Sequence, residues 1–119
     1  MALVLLFSAC AAQGSPSPTG PGLATAVSGV CQARAALPNQ DEAKRAFTNV
    51  AHDPLHALAA DPGLDRVLAA RVLESMEQLE ADFEDLATPE RLGDDLEELH
   101  AAAAAALERV GLEVPACHT

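Results

Sequence analysis

Two histidines four residues apart, His52 and His56, are the residues of this 119-residue chain whose spacing most directly indicates chemistry. Side chains at positions i and i+4 lie on one face of a helix, so two imidazoles with this spacing can share a metal ion. His100 is a candidate third ligand from another helix. The three histidines predict a zinc or copper site, and the alternative interpretation is that they are solvated or helix-capping side chains.

The geometry of this predicted site depends on Asp53-Pro54, which lies between the first two histidines. An aspartate followed by proline is typical of a helix start, so the helix either breaks or kinks there. If the helix runs on unbroken, both histidines lie on the face opposite Phe47 and point to solvent. If it restarts at Asp53, His56 turns inward, towards His100. The glutamate of the HExxH motif is missing, which excludes that class of metalloprotease.

The segment around the first cysteine resembles the lipobox of bacterial lipoproteins. It reads MALVLLFSAC, an apolar run with the small residues Ser8 and Ala9 before Cys10. The resemblance implies that residues 1–9 are a signal peptide, that Cys10 is lipidated with acyl chains such as palmitate, and that the protein lies on the extracytoplasmic face of the cell membrane. Because no basic residue precedes the apolar run, we expect the natural start to lie upstream. The alternative is that residues 1–12 are an inconsequential apolar leader or part of a core helix.

The residues that follow this cysteine have the composition of a linker. Residues 11–22 carry no charge and consist mainly of Gly, Ser, Pro and Ala, which is typical of a flexible spacer. We therefore divide the chain into a signal peptide over residues 1–9, a lipidated cysteine with its spacer over residues 10–22, and one helical domain over residues 23–119.

The chain has three cysteines, and lipidation of one of them leaves an even number. Export to an oxidising compartment then favours a disulfide between Cys31 and Cys117. The alternative is two independent buried thiols. Cys117 and His118 form a further possible ligand pair, but metal binding there would compete with the disulfide.

Hydrophobic periodicity predicts helices throughout the domain and no strand. Helix one covers residues 23–37 and ends before Pro38, and helix two starts near Gln40 after an Asn39–Glu42 capping box. Helix two is either continuous or split at Pro54. Helix three covers residues 64–86, with Leu64, Leu68, Val72, Met76, Leu79, Phe83 and Leu86 on its buried stripe, and helix four runs from Pro89, after the Thr88 cap, to Gly111. Short connections predict an all-α, up-and-down bundle of four helices closed by the disulfide.

The charge of the chain is negative and uneven. The net charge is -11, and eleven of the eighteen acidic residues lie between Glu74 and Glu98, where Arg91 is the only basic residue. This excludes nucleic acid as a partner, because phosphate binding requires clustered Lys and Arg. The acidic hairpin of helices three and four is either a solvated outer face or a docking surface for a basic envelope protein or loosely held divalent cations.

No residue pattern indicates an enzyme. No serine lies in a glycine-rich elbow, and lipidation and a disulfide would leave no free cysteine as nucleophile. The sequence therefore predicts a membrane-tethered extracytoplasmic lipoprotein with a non-enzymatic helical interaction domain. The alternative is a zinc- or copper-binding lipoprotein that uses His52, His56 and His100.

Overall fold

A computed structural model describes residues 21–117 of the chain. The helices are α1 (Pro21–Ala36), α2 (Gln40–Ala46), α3 (His52–Ala59), α4 (Arg66–Glu84) and α5 (Pro89–Arg109), and a π-helical turn, Phe47–Ala51, joins α2 to α3 without a break. Residues 40–59 therefore form the second helix of a four-helix bundle. The predicted all-α bundle closed by a Cys31–Cys117 disulfide is confirmed, and residues 21–117 contain no strand.

The core is built from the apolar stripes of the four helices. The first helix packs against the second and against α5, while α4 packs against α3 and α5. Each fully buried Leu or Phe contributes roughly 1.5 to 3 kcal/mol. The largest fully buried side chains are Phe47, Leu55, Leu58, Met76, Leu79, Leu92, Leu96, Leu99 and Leu107. Across the helices between residues 21 and 109, none is both long enough and apolar enough to span a bilayer.

Two side-chain caps and one glycine lie at helix ends where the sequence predicted them. The Asn39 carboxamide oxygen accepts a hydrogen bond from the Glu42 backbone N–H at 3.1 Å, and the Thr88 hydroxyl accepts one from the Arg91 N–H at 3.2 Å. Gly111 follows α5 with a φ of 82°, the left-handed conformation that favours glycine. Each cap satisfies backbone groups that have no partner within the helix.

The start of α4 differs from the sequence expectation. Periodicity predicted a start at residue 64, whereas the Asp61 carboxylate accepts a hydrogen bond from the Gly63 N–H at 2.7 Å, which closes a turn ahead of the helix. Asp65 is the residue that caps α4, accepting from the Leu68 N–H at 2.9 Å. The helix therefore begins at Arg66, because Asp65 occupies the N-cap position.

The end of α4 also lies earlier than predicted. Leu86 lies beyond the helix with a φ of 55°, and 79% of it is exposed. The Ala87 N–H donates to the Asp82 carbonyl at 2.9 Å, the bond that closes a Schellman-type helix end. The buried stripe of α4 therefore stops at Phe83, and the prediction that Leu86 belongs to it is wrong.

The second helix does not break at Pro54. Instead, the backbone N–H of His52 donates to the carbonyl of Phe47, five residues earlier. A proline inside a helix removes one donor and crowds the carbonyl four residues before it, here that of Val50. A π-helical turn inserts one extra residue and changes the local winding just ahead of the proline. The helix accommodates Pro54 in this way rather than splitting.

The first helix comes unusually close to this π-helical turn at Gly29. A Cβ at that position would lie 2.6 Å from the backbone nitrogen of Ala51 and 2.8 Å from its Cα. No larger residue fits unless the backbone moves. Gly29 is therefore what allows α1 and the π-helical turn to pack in contact.

Candidate functional site

The π-helical turn places His52 beside Phe47. Their ring centroids are 5.9 Å apart and the ring planes meet at 89°, an edge-to-face contact. One extra residue in a turn rotates everything after it by about 100°, so residues five apart come to the same side. The expectation that an unbroken helix leaves His52 opposite Phe47 is therefore wrong, whereas His56 is exposed, as that expectation had it. The π-helical winding rotates His52 to the side of Phe47, and the hydrophobic periodicity of the sequence does not indicate this winding.

His52 lies between two carboxylates. Its Nδ1 is 3.1 Å from the Asp53 Oδ1, and its Nε2 is 3.5 Å from the Glu80 Oε2 on α4. The His56 ring, which is exposed, is 4.6 Å from the His52 ring, centroid to centroid. The site predicted from the sequence did not include Glu80. Glu80 lies three residues before the buried Phe83, and this spacing indicates that the two residues lie on the same face of α4.

His100 lies in a different part of the bundle. One of its ring nitrogens and the sulfurs of Cys31 and Cys117 lie within 4.8 Å of one another. Within residues 21–117, this is the one group in which three or more potential metal ligands all lie that close together. The structure therefore does not bring His100 together with His52 and His56. Burial, and secondarily the charge of Arg34, lower the pKa of His100.

A cleft of about 440 Å³ lies between the second helix and α4, and Glu80 is one of its lining residues. Its floor is apolar, because the Phe47 and Phe83 rings lie there with centroids 6.3 Å apart. The spacing of three and four residues along α4 places three carboxylates on one wall. The charged residues that line the cleft are Glu77, Glu80 and Glu84, with Lys44 on the side of α2.

A second group of charges lies between α4 and α5. The Arg91 Nε is 3.1 Å from the Asp82 Oδ2 and 3.8 Å from the Asp95 Oδ1. Asp95 is buried, and its Oδ2 has no hydrogen-bond partner among the described residues. Burial, followed by the hydrogen bond to Asp82 and its charge, raises the pKa of Asp95 to about 7. The same hydrogen bond lowers the pKa of Asp82.

Comparison of the chain with protein-family models, with curated proteins and with solved structures found no match. Function is therefore argued from the geometry above. The predicted lipidation site, Cys10, lies outside the described residues, as do the signal peptide, most of the spacer, and His118.

Proposed function

We propose that the protein is a lipoprotein, tethered through Cys10 to the extracytoplasmic face of a membrane, whose helical domain binds a basic segment of an envelope protein. The observation that carries the binding proposal is the cleft between the second helix and α4. Binding, rather than catalysis, is the proposed role of the domain.

The lining of the cleft fits the long side chains of Lys and Arg. Such side chains have an apolar stem and a charged end, which match the aromatic floor of Phe47 and Phe83 and the carboxylate wall of α4. The surrounding acidic hairpin would attract a basic partner before contact. Lys44 at the opposite lip would repel a cation placed too far from the carboxylates, which favours one orientation of the ligand.

Binding of a fluorescent oligolysine peptide tests the cleft. We expect the combined change Glu77→Gln, Glu80→Gln and Glu84→Gln to weaken binding by at least about tenfold, because it removes the charged wall while keeping side-chain size. An oligoglutamate peptide should not bind. Equal binding by the variant and the wild type would contradict the proposal.

A matched variant separates the cleft from overall charge. Glu74→Gln, Asp85→Asn and Glu90→Gln remove the same number of charges from exposed positions of the same hairpin that do not line the cleft. Exposed, distant charges act weakly in salt, so this control should change affinity by less than about threefold at 0.15 M salt. If the control variant loses as much affinity as the cleft variant, the peptide is held only by nonspecific attraction to the overall negative charge.

The membrane tether is tested separately. The composition of residues 1–22 supports it: an apolar run, small residues before Cys10, and an uncharged spacer. In a gene with its natural upstream start, Cys10→Ser should move the protein from the membrane fraction to the medium. Unchanged partitioning, with no lipid mass on the mature N-terminus, would contradict the tether and leave the cleft proposal untouched.

A second candidate function is metal binding at His52, His56 and Glu80. The 3.5 Å between the His52 Nε2 and the Glu80 Oε2 is close to the roughly 3.3 Å that separates two ligands of a tetrahedral zinc ion. The contact between His52 Nδ1 and Asp53 resembles the carboxylate that orients many metal-binding histidines. In this metal site the third ligand is Glu80, whereas the sequence-based prediction used His100.

Calorimetry with Zn²⁺ and Cu²⁺ on the disulfide-bonded protein tests the second candidate. His56→Ala and Glu80→Gln should each weaken binding by about tenfold or more, whereas the exposed Glu74→Gln should not change it. Loss of binding in His100→Ala, with Glu80→Gln unchanged, would contradict this set of ligands. Equally weak uptake by all the proteins would identify the histidines as ordinary surface residues.

A further inference from the structure

The disulfide and His100 bring three strong metal ligands together from three parts of the chain. Cys31 belongs to α1, His100 to α5, and Cys117 to the segment that follows α5. Their ligand atoms lie within 4.8 Å of one another. In a tetrahedral zinc site with two thiolates and one imidazole, neighbouring ligand atoms are about 3.5 to 3.8 Å apart. Small side-chain rotations after cleavage of the disulfide are enough to reach that geometry.

An independent observation at His100 also points to a ligand. Its Nε2 is buried and finds no hydrogen-bond partner among the described residues. Buried polar atoms in folded proteins are nearly always paired, so an unpaired ring nitrogen on a histidine that lies beside two cysteines calls for an explanation. The lowered pKa of His100 favours the neutral imidazole, which keeps a lone pair for a metal.

We propose that the reduced protein binds one Zn²⁺ ion through the thiolates of Cys31 and Cys117 and an imidazole nitrogen of His100, and that oxidation of the two cysteines releases the ion. Thiolate ligands select thiophilic cations over Mg²⁺ and Ca²⁺. Three protein ligands leave a fourth position open to water.

The redox step is a thiol–disulfide exchange. A dithiol reductant transfers two electrons and two protons to the Cys31–Cys117 bond and becomes a disulfide itself, leaving two thiols on the protein. Zn²⁺ then displaces the two thiol protons. In the reverse direction, a disulfide partner accepts two electrons from the thiolates and two protons from the solvent to become a dithiol, the protein S–S bond forms again, and the ion leaves. Both cysteines are partly exposed, so a reductant has access to the sulfurs.

Cobalt titration tests the site, with Co²⁺ as a coloured substitute for Zn²⁺. All proteins carry Cys10→Ser, so that no third thiol contributes. After anaerobic reduction we expect thiolate-to-cobalt charge-transfer absorption at one equivalent, displaced by Zn²⁺, and none in the oxidised protein. Absence of this absorption in a reduced protein that keeps its helical circular dichroism would overturn the proposal.

Variants then assign the nitrogen ligand. His100→Gln keeps a polar side chain but not the imidazole, and it should weaken metal binding at the thiolate site of the reduced protein, followed by the charge-transfer absorption, by at least about tenfold, as should His100→Ala. Gln32→Ala, an exposed change next to Cys31, should have no effect. Zn²⁺ should also raise the melting temperature of the reduced protein by more than that of the oxidised one, and His100→Gln should remove this difference. Loss of affinity in His118→Ala, with His100→Gln unchanged, would contradict the assignment.

Discussion

Asp95 is the one polar side chain in the described part of the chain that is buried, with 6% of it exposed. Three residues from the two packed helices determine its charge. Burial raises its pKa most, Asp82 and, more weakly, Glu98 raise it further, and Arg91 acts in the opposite direction. Because the pKa of Asp82 is lowered, this carboxylate remains ionised and the shared proton resides on Asp95. A carboxyl group inside a helix interface therefore titrates near neutral pH.

The stability of the domain should reflect this titration. With a folded pKa of about 7 against an ordinary value of 3.8, the contribution of Asp95 to stability is fully present below about pH 4 and is lost as the pH rises through 7. Asp95→Asn cannot ionise. We expect the variant to gain about 1 to 3 kcal/mol relative to wild type between pH 5 and pH 8. Urea denaturation at several pH values measures the difference.

The control for this prediction is the neighbouring residue. Asp94 is exposed, and Asp94→Asn should give a pH dependence parallel to that of wild type. The lowered pKa of Asp82 acts only below about pH 4, where its stabilising contribution is lost, and does not enter this window. A constant difference between Asp95→Asn and wild type from pH 5 to pH 8 would contradict the prediction.

At the scale of a helix, the contact between Gly29 and the π-helical turn determines where the second helix lies. Gly29→Ala should destabilise the domain by about 1 to 3 kcal/mol through overpacking, because the new Cβ meets the Ala51 backbone. This happens although alanine is the better helix former by about 1 kcal/mol. Thermal unfolding followed by circular dichroism measures the change.

Gly93 provides the matched substitution for Gly29→Ala. It also lies inside a helix, but the nearest atom to its added Cβ is the Leu37 Cδ1 at 3.9 Å, an ordinary contact. Gly93→Ala should therefore stabilise the domain by about 0.5 to 1 kcal/mol. The two variants make the same chemical change and should shift the melting temperature in opposite directions. A gain in both would show that α1 can move away from the turn.

These elements show what the sequence could and could not predict. Periodicity and caps gave α5 and its ends correctly, because each depends on residues close in the chain. The π-helical turn depends on Pro54 and on contact with Gly29 in another helix, so no local pattern indicates it. His52 was therefore assigned to the wrong face. Glu80 was missed as its neighbour for the same reason, since only the changed winding brings the two together.

At the scale of the whole molecule, the disulfide joins residues 86 positions apart. Loop-entropy considerations give roughly 4 to 5 kcal/mol for closing so long a loop in the unfolded chain. Reduction should therefore lower the melting temperature by roughly 15 to 30 °C. The measurement is thermal unfolding with and without reductant, on protein carrying Cys10→Ser and free of metal.

The variant with both Cys31→Ser and Cys117→Ser is the control. It should melt near the temperature of the reduced protein, and reductant should have no effect on it. A wild-type protein that melts at the same temperature with and without reductant would show that the loop is already constrained when unfolded.

The same covalent link also determines how the domain responds to mechanical force. When the chain is pulled from both ends, tension passes from α1 through the Cys31–Cys117 bond, and the residues between the two cysteines carry no load. All of α2 to α5 lies within the loop that the disulfide closes, and about 280 to 300 Å of extension becomes available only after the bond is reduced. Force spectroscopy should show a short extension in the oxidised protein and this additional extension in reductant. In a domain closed in this way, force applied to the two ends bypasses the residues that line the cleft between the second helix and α4.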